Sequence, residues 1–526
     1  NLFGWTWQAG YIYGQSDSSD NERNAINLTK LQELVGNATC ETGAPSNCGS
    51  VTLSGTSSLT ADDISYISYT SSSSSHYVQQ IAYGDISGEL PITLPGGKIG
   101  LAAGVDYRSE YVKSIPDAIA QMGDAAESNS QVTQGGYNVK EIYGEVRLPV
   151  LKNVPYAQEL SFDFAGRFSH YSSSGDGTVY KGSVNWAIND TVRFRGSYGT
   201  GERAPQVGSE MFLGNSTSAD AYTDPCESPS NATVVANCQA SFSKAGLTYN
   251  KGAFSQTTPQ LTATLSGNAN LKPEKSVQYN LGVVLTPDFL VPNLSITVDY
   301  YNIHLNDMIG TVDANTALSM CYKSDGYSSP YCSYFARSSS GQISSYSEPY
   351  VNLGWAHTDG IDYGVNYATE DLAPFIGLPD GTLFNFGLKV SWLNKFREQN
   401  ADGSVTEYAG KWIDSASSYA NPKWKGNFDL GITLPSGTSF DITERFIGAQ
   451  SYYDSEYRSD PDMHVPALLY TDLSFTLPWD NYSATVGIDN VFDKDPPLVE
   501  DTYVQTVSNQ YDMVGRYFYL KLSAKL

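Results

Sequence analysis

Apolar and polar residues alternate over long stretches of this chain. In the segment 158–174, Leu160, Phe162, Phe164 and Phe168 share one face, and the residues between them are polar or small. Strict alternation predicts a β-strand with one apolar face, because successive side chains of a strand point in opposite directions. Runs of ten or more residues are long for a globular sheet. They match a tilted strand that crosses about 30 Å of hydrocarbon.

The alternation predicts an all-β fold, a transmembrane antiparallel β-barrel of which about 16 strands are present. Each run keeps its apolar residues on one side only, which is what a strand between lipid and a polar interior requires. The predicted strands cover residues 1–14, 76–90, 97–113, 135–150, 158–174, 178–189, 191–203, 275–286, 294–309, 349–370, 382–397, 421–434, 438–450, 465–478, 482–492 and 514–526.

Short and long connections mostly alternate between these runs. Short turns such as LPGG, NDT, LPSG and PWDN lie on one side, which is the periplasmic side of an outer-membrane barrel, and long loops lie on the extracellular side. One short link, 173–177, breaks the pattern on the long side. The serine-rich runs 70–76 and 336–342 predict mobile loop. The long loops cover 15–75, 114–134, 204–274, 310–348, 398–420, 451–464 and 493–513.

The composition of the 526 residues supports a membrane β-protein. The chain has 47 Gly, 38 Tyr, 20 Phe and 8 Trp, but only 17% charged residues. Such an aromatic-rich, charge-poor chain is typical of β-rich proteins. No run of about 18 apolar residues occurs, which excludes a helical membrane span. The net charge of −25 lacks the basic footprint of a nucleic-acid-binding protein, so no nucleic-acid partner is expected.

All six cysteines lie in the predicted extracellular loops, as three pairs that are close in sequence. Zinc sites usually have C-x-x-C spacing with histidines nearby, whereas the five histidines here are scattered. Local disulfides are therefore predicted, and they indicate an oxidising compartment. Each would close a small loop and contribute about 2–3 kcal/mol. The pairs are Cys40 with Cys48, Cys226 with Cys238, and Cys321 with Cys332.

The sequence carries no enzyme motif. It lacks a G-x-S-x-G elbow, an H-E-x-x-H pair and a phosphate-binding GK[ST] loop, so no catalytic residue, cofactor or metal is predicted. Tryptophans near strand ends, such as Trp186, Trp355 and Trp424, indicate the aromatic girdles of a membrane barrel. Stacking on sugars is the alternative for some loop tyrosines. A barrel hydrolase with a lumen serine and a distant histidine stays open.

Charged residues fall on the polar side of several predicted strands, where they would face the lumen. Such charges either line a water-filled channel or pair with a plug, and the sequence leaves both possibilities open. The predicted lumen-facing charges are Asp163, Arg167, Arg193, Arg195, Asp299, Lys425, Asp429 and Lys521.

Three phrases near strand ends resemble those of a known family. YGTGERAPQVGSEMF (198–212) opens a long loop, NANLKPEKSVQYNLGV (268–283) closes that loop, and VGIDNVFDKDPP (486–497) ends the last strand but one. Their order resembles the C-terminal barrel of TonB-dependent outer-membrane receptors, and HTDGIDYGVNY (357–367) resembles another phrase of these proteins. Glu202 departs from the usual aromatic residue. The matching residues are Arg203, Ala204, Pro205, Asn270, Leu271, Lys272, Pro273, Glu274, Asp489, Asn490, Phe492 and Asp493.

The resemblance implies a bacterial outer-membrane protein that takes up a scarce, bulky nutrient, driven by a periplasmic TonB-type coupling protein. Ferric siderophore is the usual ligand of such receptors, and oligosaccharide or peptide is the alternative. The family's barrels have 22 strands and an N-terminal plug. Residues 1–526 are therefore expected to be the C-terminal portion of such a barrel, without the plug and about six strands (22 − 16).

The strand count allows alternative functions, and the phrase NLKPEK is expected to have a structural role. Because 16 strands also suit a general diffusion porin, that function is the main alternative, and a barrel enzyme or a structural surface protein is a third. Pro273 fixes its own φ and favours an extended Lys272, so the phrase NLKPEK is expected to direct the chain into a strand. Glu274 and Lys275 are expected at the wet rim.

Overall fold

The computed structural model describes residues 4–53, 59–413, 419–452, 464–498, 506 and 510–525. Most of these residues belong to strands, with five short α-helices in the loops, and none of these helices is long and apolar enough to cross a membrane. The strands are β1 (Thr6–Ile26), β2 (Ser68–Leu94), β3 (Gly97–Ile115), β4 (Thr133–Val154), β5 (Ala157–Tyr171), β6 (Gly175–Ala187), β7 (Val192–Arg203), β8 (Ser216–Ala221), β9 (Gln260–Ser266), β10 (Glu274–Leu285), β11 (Leu294–Asn306), β12 (Ile309–Gly310), β13 (Phe335–Arg337), β14 (Ile343–Pro349), β15 (Val351–Asn352), β16 (Trp355–Thr369), β17 (Leu383–Gln399), β18 (Val405–Glu407), β19 (Lys411–Ile413), β20 (Tyr419–Ala420), β21 (Trp424–Thr433), β22 (Ser439–Ile447), β23 (Gln450–Tyr452), β24 (His464–Val465), β25 (Leu468–Trp479), β26 (Tyr482–Asp489) and β27 (Tyr517–Ala524). The helices are α1 (Leu28–Leu34), α2 (Ala61–Ile67), α3 (Ala118–Met122), α4 (Ala232–Lys244) and α5 (Ala314–Tyr322), with a π-helical turn at Val207–Met211 and 3-10 turns at Asp325–Tyr327, Pro330–Ser333 and Ala373–Ile376.

Sixteen long strands form one antiparallel meander, in which each strand pairs with the next long strand of the chain. The order is β1, β2, β3, β4, β5, β6, β7, β10, β11, β16, β17, β21, β22, β25, β26 and β27, with the short β18 added to β17. Each of these strands corresponds to one predicted run, so the all-β prediction and its sixteen strands are confirmed. Consecutive pairing with short turns at one end is the topology of an up-and-down membrane barrel.

The meander exposes a broad apolar face. Phe164 is 51% exposed, Phe194 42% and Leu281 60%, and all three side chains point to the same side of neighbouring strands. A soluble protein rarely exposes so large a contiguous apolar surface. This face therefore corresponds to the lipid-contacting band of the barrel, and the opposite, polar face lines the lumen.

The first predicted extracellular loop is shorter than expected. Residues 15–75 were predicted as loop, but β1 continues to Ile26 and β2 begins at Ser68, and α1 and α2 lie between them. The serine-rich run 70–76 is not a loop: Ser72 pairs with Asn21, and His76 pairs with Asp17. Above the membrane, water contacts both faces of a hairpin, so apolar alternation no longer marks the strands although their backbone hydrogen bonds continue.

Two long loops fold together into a compact extracellular unit, which we call the lobe (residues 214–266 and 311–349). In it β8, β9, β14 and β13 form a four-stranded sheet, in which β9 and β14 are parallel. Helices α4 and α5 pack beside this sheet around a buried apolar core. The run 336–342, predicted as mobile loop, forms the end of β13 and a hydrogen-bonded turn that leads into β14.

Three disulfides join the predicted cysteine pairs. Cys40–Cys48 closes the loop that follows α1, while Cys226–Cys238 and Cys321–Cys332 lie within the lobe. The four cysteines of the lobe are buried in its core. The prediction of three local disulfides is therefore confirmed.

Candidate functional site

Two of the family phrases meet at the extracellular end of the meander. Arg203, the last residue of β7, lies directly opposite Glu274, the first residue of β10. Arg203 Nε donates to Glu274 Oε2 at 2.5 Å, and Arg203 Nη1 donates to both carboxylate oxygens of Glu210 at 3.0 and 3.1 Å. The second oxygen of Glu274 accepts a hydrogen bond from the backbone N–H of Ile309 at 2.7 Å. This network joins four chain segments at the rim.

The prediction that Glu274 lies at the wet rim is wrong. Glu274 is only 8% exposed, and the neighbouring residues Leu271 and Pro273 are buried as well. A buried carboxylate is stable when a cation and hydrogen-bond donors satisfy its oxygens, as Arg203 and Ile309 do here. Lys275, in contrast, is exposed on the opposite face of the strand, across from Glu202.

The segments that leave this network form a layer which we call the rim plate (residues 207–213, 267–272, 307–310 and 350–352). Backbone hydrogen bonds run from Gly267 N to Leu213 O at 3.1 Å and from Asn268 N to Glu210 O at 2.8 Å. Asn352 accepts from the N–H of Lys272 and donates to its carbonyl oxygen, both at 2.9 Å. The rim plate thus connects the lobe to the strands below it.

The rim plate reaches over the polar face of the neighbouring strands. A Cβ atom at Gly135 of β4 would lie 2.1 Å from the ring of Phe212, so the aromatic ring occupies the space that only a glycine leaves. Gly135 has the same strand phase as Tyr137 and Val139, which lie on the polar face. The first long loop after β7 therefore turns inward at the mouth of the barrel.

The third family phrase forms a turn that fixes the last loop. Asn490 is fully buried with a left-handed φ of 52°, its N–H donates to Asp472 Oδ1 at 2.8 Å, and its amide side chain exchanges hydrogen bonds of 2.9 Å with the backbone of Lys494. Asp493 accepts from the N–H of Arg516 at 2.8 Å, just before β27. The side chain of Phe492 is exposed. The three phrases therefore support the architecture and offer no reacting group.

The remaining phrase residues have local roles. Pro205 is buried after the end of β7, and Ala204 is half-buried beside it. Asn270 is exposed, and its N–H donates to the side chain of Asn268 at 2.9 Å. Asp489 ends β26 on the polar face, one residue before the buried turn.

The strand register places all eight predicted lumen charges on the polar face. Arg195 and Asp299 lie on either side of Gly282 and form a bidentate pair with distances of 2.7 and 2.6 Å. Arg167 pairs with Glu141 at 2.9 Å, and Arg193 lies 3.6 Å from Glu159. The other charges of the set have the same orientation: Asp163, Lys425, Asp429 and Lys521.

Several charged residues of the polar face were not among the predicted ones. Arg445 binds Asp472 at 2.6 Å and Asp512 at 2.6 Å, and its guanidinium lies 4.9 Å from the ring centre of Tyr470. Glu141 accepts from Arg167 and Ser169. The alternation of side chains along a strand would have been enough to predict Arg445 and Glu141, because each lies an even number of residues from other lumen-facing residues of its own strand.

The lobe is organised around one buried ion pair. Arg337 is paired with Asp224 by two hydrogen bonds of 2.6 and 2.9 Å, and the two side chains are 3% and 0% exposed. Arg337 also donates to the hydroxyls of Tyr322 at 2.7 Å and Ser241 at 2.9 Å. Burial is the largest single effect and opposes the charge on Arg337, but the hydrogen bonds and electrostatic attraction of Asp224 and Tyr322 together outweigh it, so the pKa of the guanidinium is raised. Burial also raises the pKa of the Tyr322 hydroxyl.

The periplasmic end of the polar face is lined by charged residues. Within the described residues, no group of three or more histidine, cysteine, aspartate or glutamate side chains is placed to hold a metal ion. A cavity of about 700 Å³ opens at the periplasmic end of the polar face, lined by charged residues that include Lys98, Arg147, Glu159 and Arg193. Water or a polar protein segment can fill a cavity with such a charged lining.

Comparison with known proteins agrees with this geometry. The family model described as TonB dependent receptor-like, beta-barrel, matches residues 1–491. No curated protein matches this sequence significantly.

Solved structures with a similar fold include receptors from two organisms. The ferric enterobactin receptor PfeA of Pseudomonas aeruginosa, as a double mutant, aligns with a TM-score of 0.61 and 15% identity over 98% of this chain and 59% of its own. A mutant of the same receptor in complex with enterobactin gives 0.59 and 15% over 98% and 60%. The siderophore receptor PirA of Acinetobacter baumannii gives 0.55 and 14% over 98% and 59%. The chain thus spans about three fifths of the length of these structures.

Proposed function

Because this chain belongs to the TonB-dependent receptor β-barrel family, we propose that it is part of a receptor that takes up a scarce, bulky nutrient across the outer membrane. Members of this family are outer-membrane barrels of Gram-negative bacteria, and they are receptors rather than enzymes. The energy would come from a TonB-type coupling protein in the periplasm. The family match over residues 1–491 is the observation that carries the proposal.

We propose ferric siderophore as the first ligand class to test. The structures with the same fold are named as receptors for ferric enterobactin or for siderophores, which supports this choice. At a sequence identity of 14–15%, the likeness itself is evidence for the fold alone. Oligosaccharide is the second class. The net charge of −25 supports it, because an acidic surface repels an anionic chelate more than a neutral sugar.

The lobe and the rim plate support a receptor more than a general porin. A porin needs an open mouth, whereas here a disulfide-linked lobe and an inward-turning loop stand at the extracellular end of the polar face. A receptor for a bulky ligand needs an external surface that is joined firmly to the barrel wall. The network of Arg203, Glu210 and Glu274 provides that connection.

The complete receptor is proposed to contain further strands and a plug. The described residues form one sheet of sixteen long strands, and the chain spans about three fifths of the length of the receptor structures that share its fold. Outer-membrane transporters of this type have 22 strands and a plugged lumen. We therefore propose that residues 1–526 belong to a larger barrel, with further strands and with a plug that contacts the coupling protein.

Binding to the complete receptor tests this function. Ferric enterobactin and a neutral oligosaccharide would be added separately to the receptor in outer-membrane vesicles, and amide hydrogen exchange would be measured. We expect one ligand class to protect amides of the lobe and of residues 207–213 from exchange. Absence of protection by either class, together with steady single-channel conductance in planar bilayers, would contradict the receptor and favour the porin.

A further inference from the structure

Two neighbouring turns at the short-turn end of the barrel have an unusual composition. Residues 286–293 join β10 to β11, and residues 370–382 join β16 to β17. Strands β11 and β16 are adjacent, Leu294 lies opposite Tyr367, and Asn293 Nδ2 donates to Ala368 O at 3.3 Å. The two turns therefore lie side by side on the periplasmic side.

Both turns expose large apolar side chains. Phe289 is 75% exposed and Leu290 71%, while Phe375 is 85% and Ile376 61% exposed in the 3-10 turn Ala373–Ile376. Periplasmic turns of membrane barrels are normally short and polar, since they only reverse the chain in water. Two adjacent turns thus expose four large apolar side chains, and a concentration of exposed apolar groups of this kind is typical of an interaction site.

The same turns carry negative charge only. Asp288, Glu370, Asp371 and Asp380 are all exposed, and residues 286–293 and 370–382 contain no lysine, arginine or histidine. The next turn adds Asp190, whose carbonyl oxygen accepts from Thr286 Oγ1 at 2.5 Å. Among the basic residues of the adjoining strands, Arg193 and Lys389 are close to these turns, and both lie on the polar face.

We propose that these two turns form a docking surface for a cationic segment of a periplasmic protein that also carries apolar side chains. The apolar residues supply the desolvated contact, and the surrounding carboxylates select lysine and arginine over acidic residues. The carboxylates also argue against the inner leaflet as the occupant, because they would have to approach the headgroups of anionic phospholipids. This surface is separate from the nutrient path through the lumen.

Two measurements on the complete receptor in nanodiscs test the surface. In the first, a fluorescent peptide that alternates lysine and leucine is titrated against the wild type and three variants, with a glutamate–leucine peptide as the second probe. The apolar variant carries Phe289→Ser and Phe375→Ser. The charge variant carries Asp288→Asn, Glu370→Gln, Asp371→Asn and Asp380→Asn. The control variant carries Ile64→Ser and Met122→Ser, two exposed apolar residues on the extracellular side.

We expect the apolar and the charge variants to weaken binding of the lysine–leucine peptide at least about tenfold, the control variant to leave it unchanged, and the glutamate–leucine peptide not to bind. Equal binding to all variants would overturn the proposal. In the second measurement, Phe375→Trp fluorescence is recorded in nanodiscs with brominated acyl chains. We expect no quenching, and strong quenching would show that the bilayer covers the patch instead.

Discussion

At the scale of single residues, the buried carboxylate of Glu274 determines how the lobe is held on the barrel. Its two oxygens are shared between the guanidinium of Arg203 and the N–H of Ile309, so one side chain connects β7, β10 and the segment that leads to the lobe. The sequence phrase identified the position but not this role. Its partner Ile309 lies 35 residues away in the chain, and only the folded rim brings them together.

The first prediction concerns this carboxylate. Glu274→Gln removes the charge but keeps the shape, and charge-assisted hydrogen bonds contribute about 1.5–3 kcal/mol. We expect amides of the rim plate to exchange at least about tenfold faster, since 1.4 kcal/mol corresponds to a factor of ten. Lys275→Gln, at the exposed neighbouring residue, should leave the exchange unchanged. Equal exchange in both variants would mean that the carboxylate does not hold the rim plate.

The second prediction concerns the buried pair of the lobe. Arg337→Met leaves Asp224 buried without its cation, and breaking such a pair costs about 3–5 kcal/mol. We expect the lobe to open to protease at lower temperature while the barrel strands stay protected. The double variant Arg337→Met with Asp224→Leu should recover much of the loss, because no buried charge remains. A double variant as unstable as the single one would contradict the assignment.

At the scale of elements, the sequence pattern predicted the strand segments that cross the membrane. It missed the strand ends and helices that lie in water above the membrane. The sixteen barrel strands alternate because lipid contacts one face only, and the predicted runs match them. The upper parts of β1 and β2, residues 15–26 and 68–75, escaped prediction because both faces contact water and serine and aspartate carry no period. Helices α4 and α5 were missed because their stability comes from the disulfide-linked core around them and not from a long amphipathic pattern.

The third prediction concerns the disulfides of the lobe. Replacing Cys226 and Cys238 by serine removes the closure of a short loop, which contributes about 3 kcal/mol in the chain-entropy model. We expect faster exchange at α4 and the adjoining lobe sheet, with the barrel unaffected. The same change at Cys40 and Cys48 is the matched control, because it lies in a different loop and should leave the lobe unchanged. An effect of equal size on the barrel would contradict the independence of the lobe.

The fourth prediction concerns the pH dependence of α2. The Asp63 carboxylate accepts hydrogen bonds from the backbone N–H of Thr60 and from Asn47, and its own backbone N–H donates to Thr60 Oγ1; the hydrogen bonds with Thr60 and Asn47 lower the pKa of Asp63. A lowered pKa stabilises the folded form above the unfolded value of about 4, and this contribution is lost as the pH falls through the folded value. Exchange at residues 61–67 should therefore accelerate below about pH 4.

The control for this pH effect is the neighbouring aspartate. Asp63→Asn should remove the acceleration, whereas Asp62→Asn, at an exposed residue of the same helix, should keep it. The same pH profile in all three proteins would assign the effect to other groups.

At the scale of the whole molecule, a polar lumen wall, an apolar lipid face and an extracellular lobe form one connected structure. The eight predicted charges share the polar face because a strand phase read from the sequence fixes the orientation of every second residue. The pairing of these charges could not be predicted, since Arg195 and Asp299 belong to strands separated by β10. The rim plate and the pair of periplasmic turns at 286–293 and 370–382 could not be predicted either, because each is formed by segments that are distant in the sequence.

We have proposed that the complete receptor takes up its ligand with energy from a TonB-type protein. The direct measurement is the accumulation of radioiron-loaded siderophore, and in parallel of labelled oligosaccharide, by Gram-negative cells that carry the complete receptor. We expect one of the two to accumulate against its gradient, and we expect this accumulation to disappear when the TonB-type protein is deleted or the proton gradient is collapsed. Entry that is passive, unsaturable and equal with and without the coupling protein would contradict energy-coupled uptake.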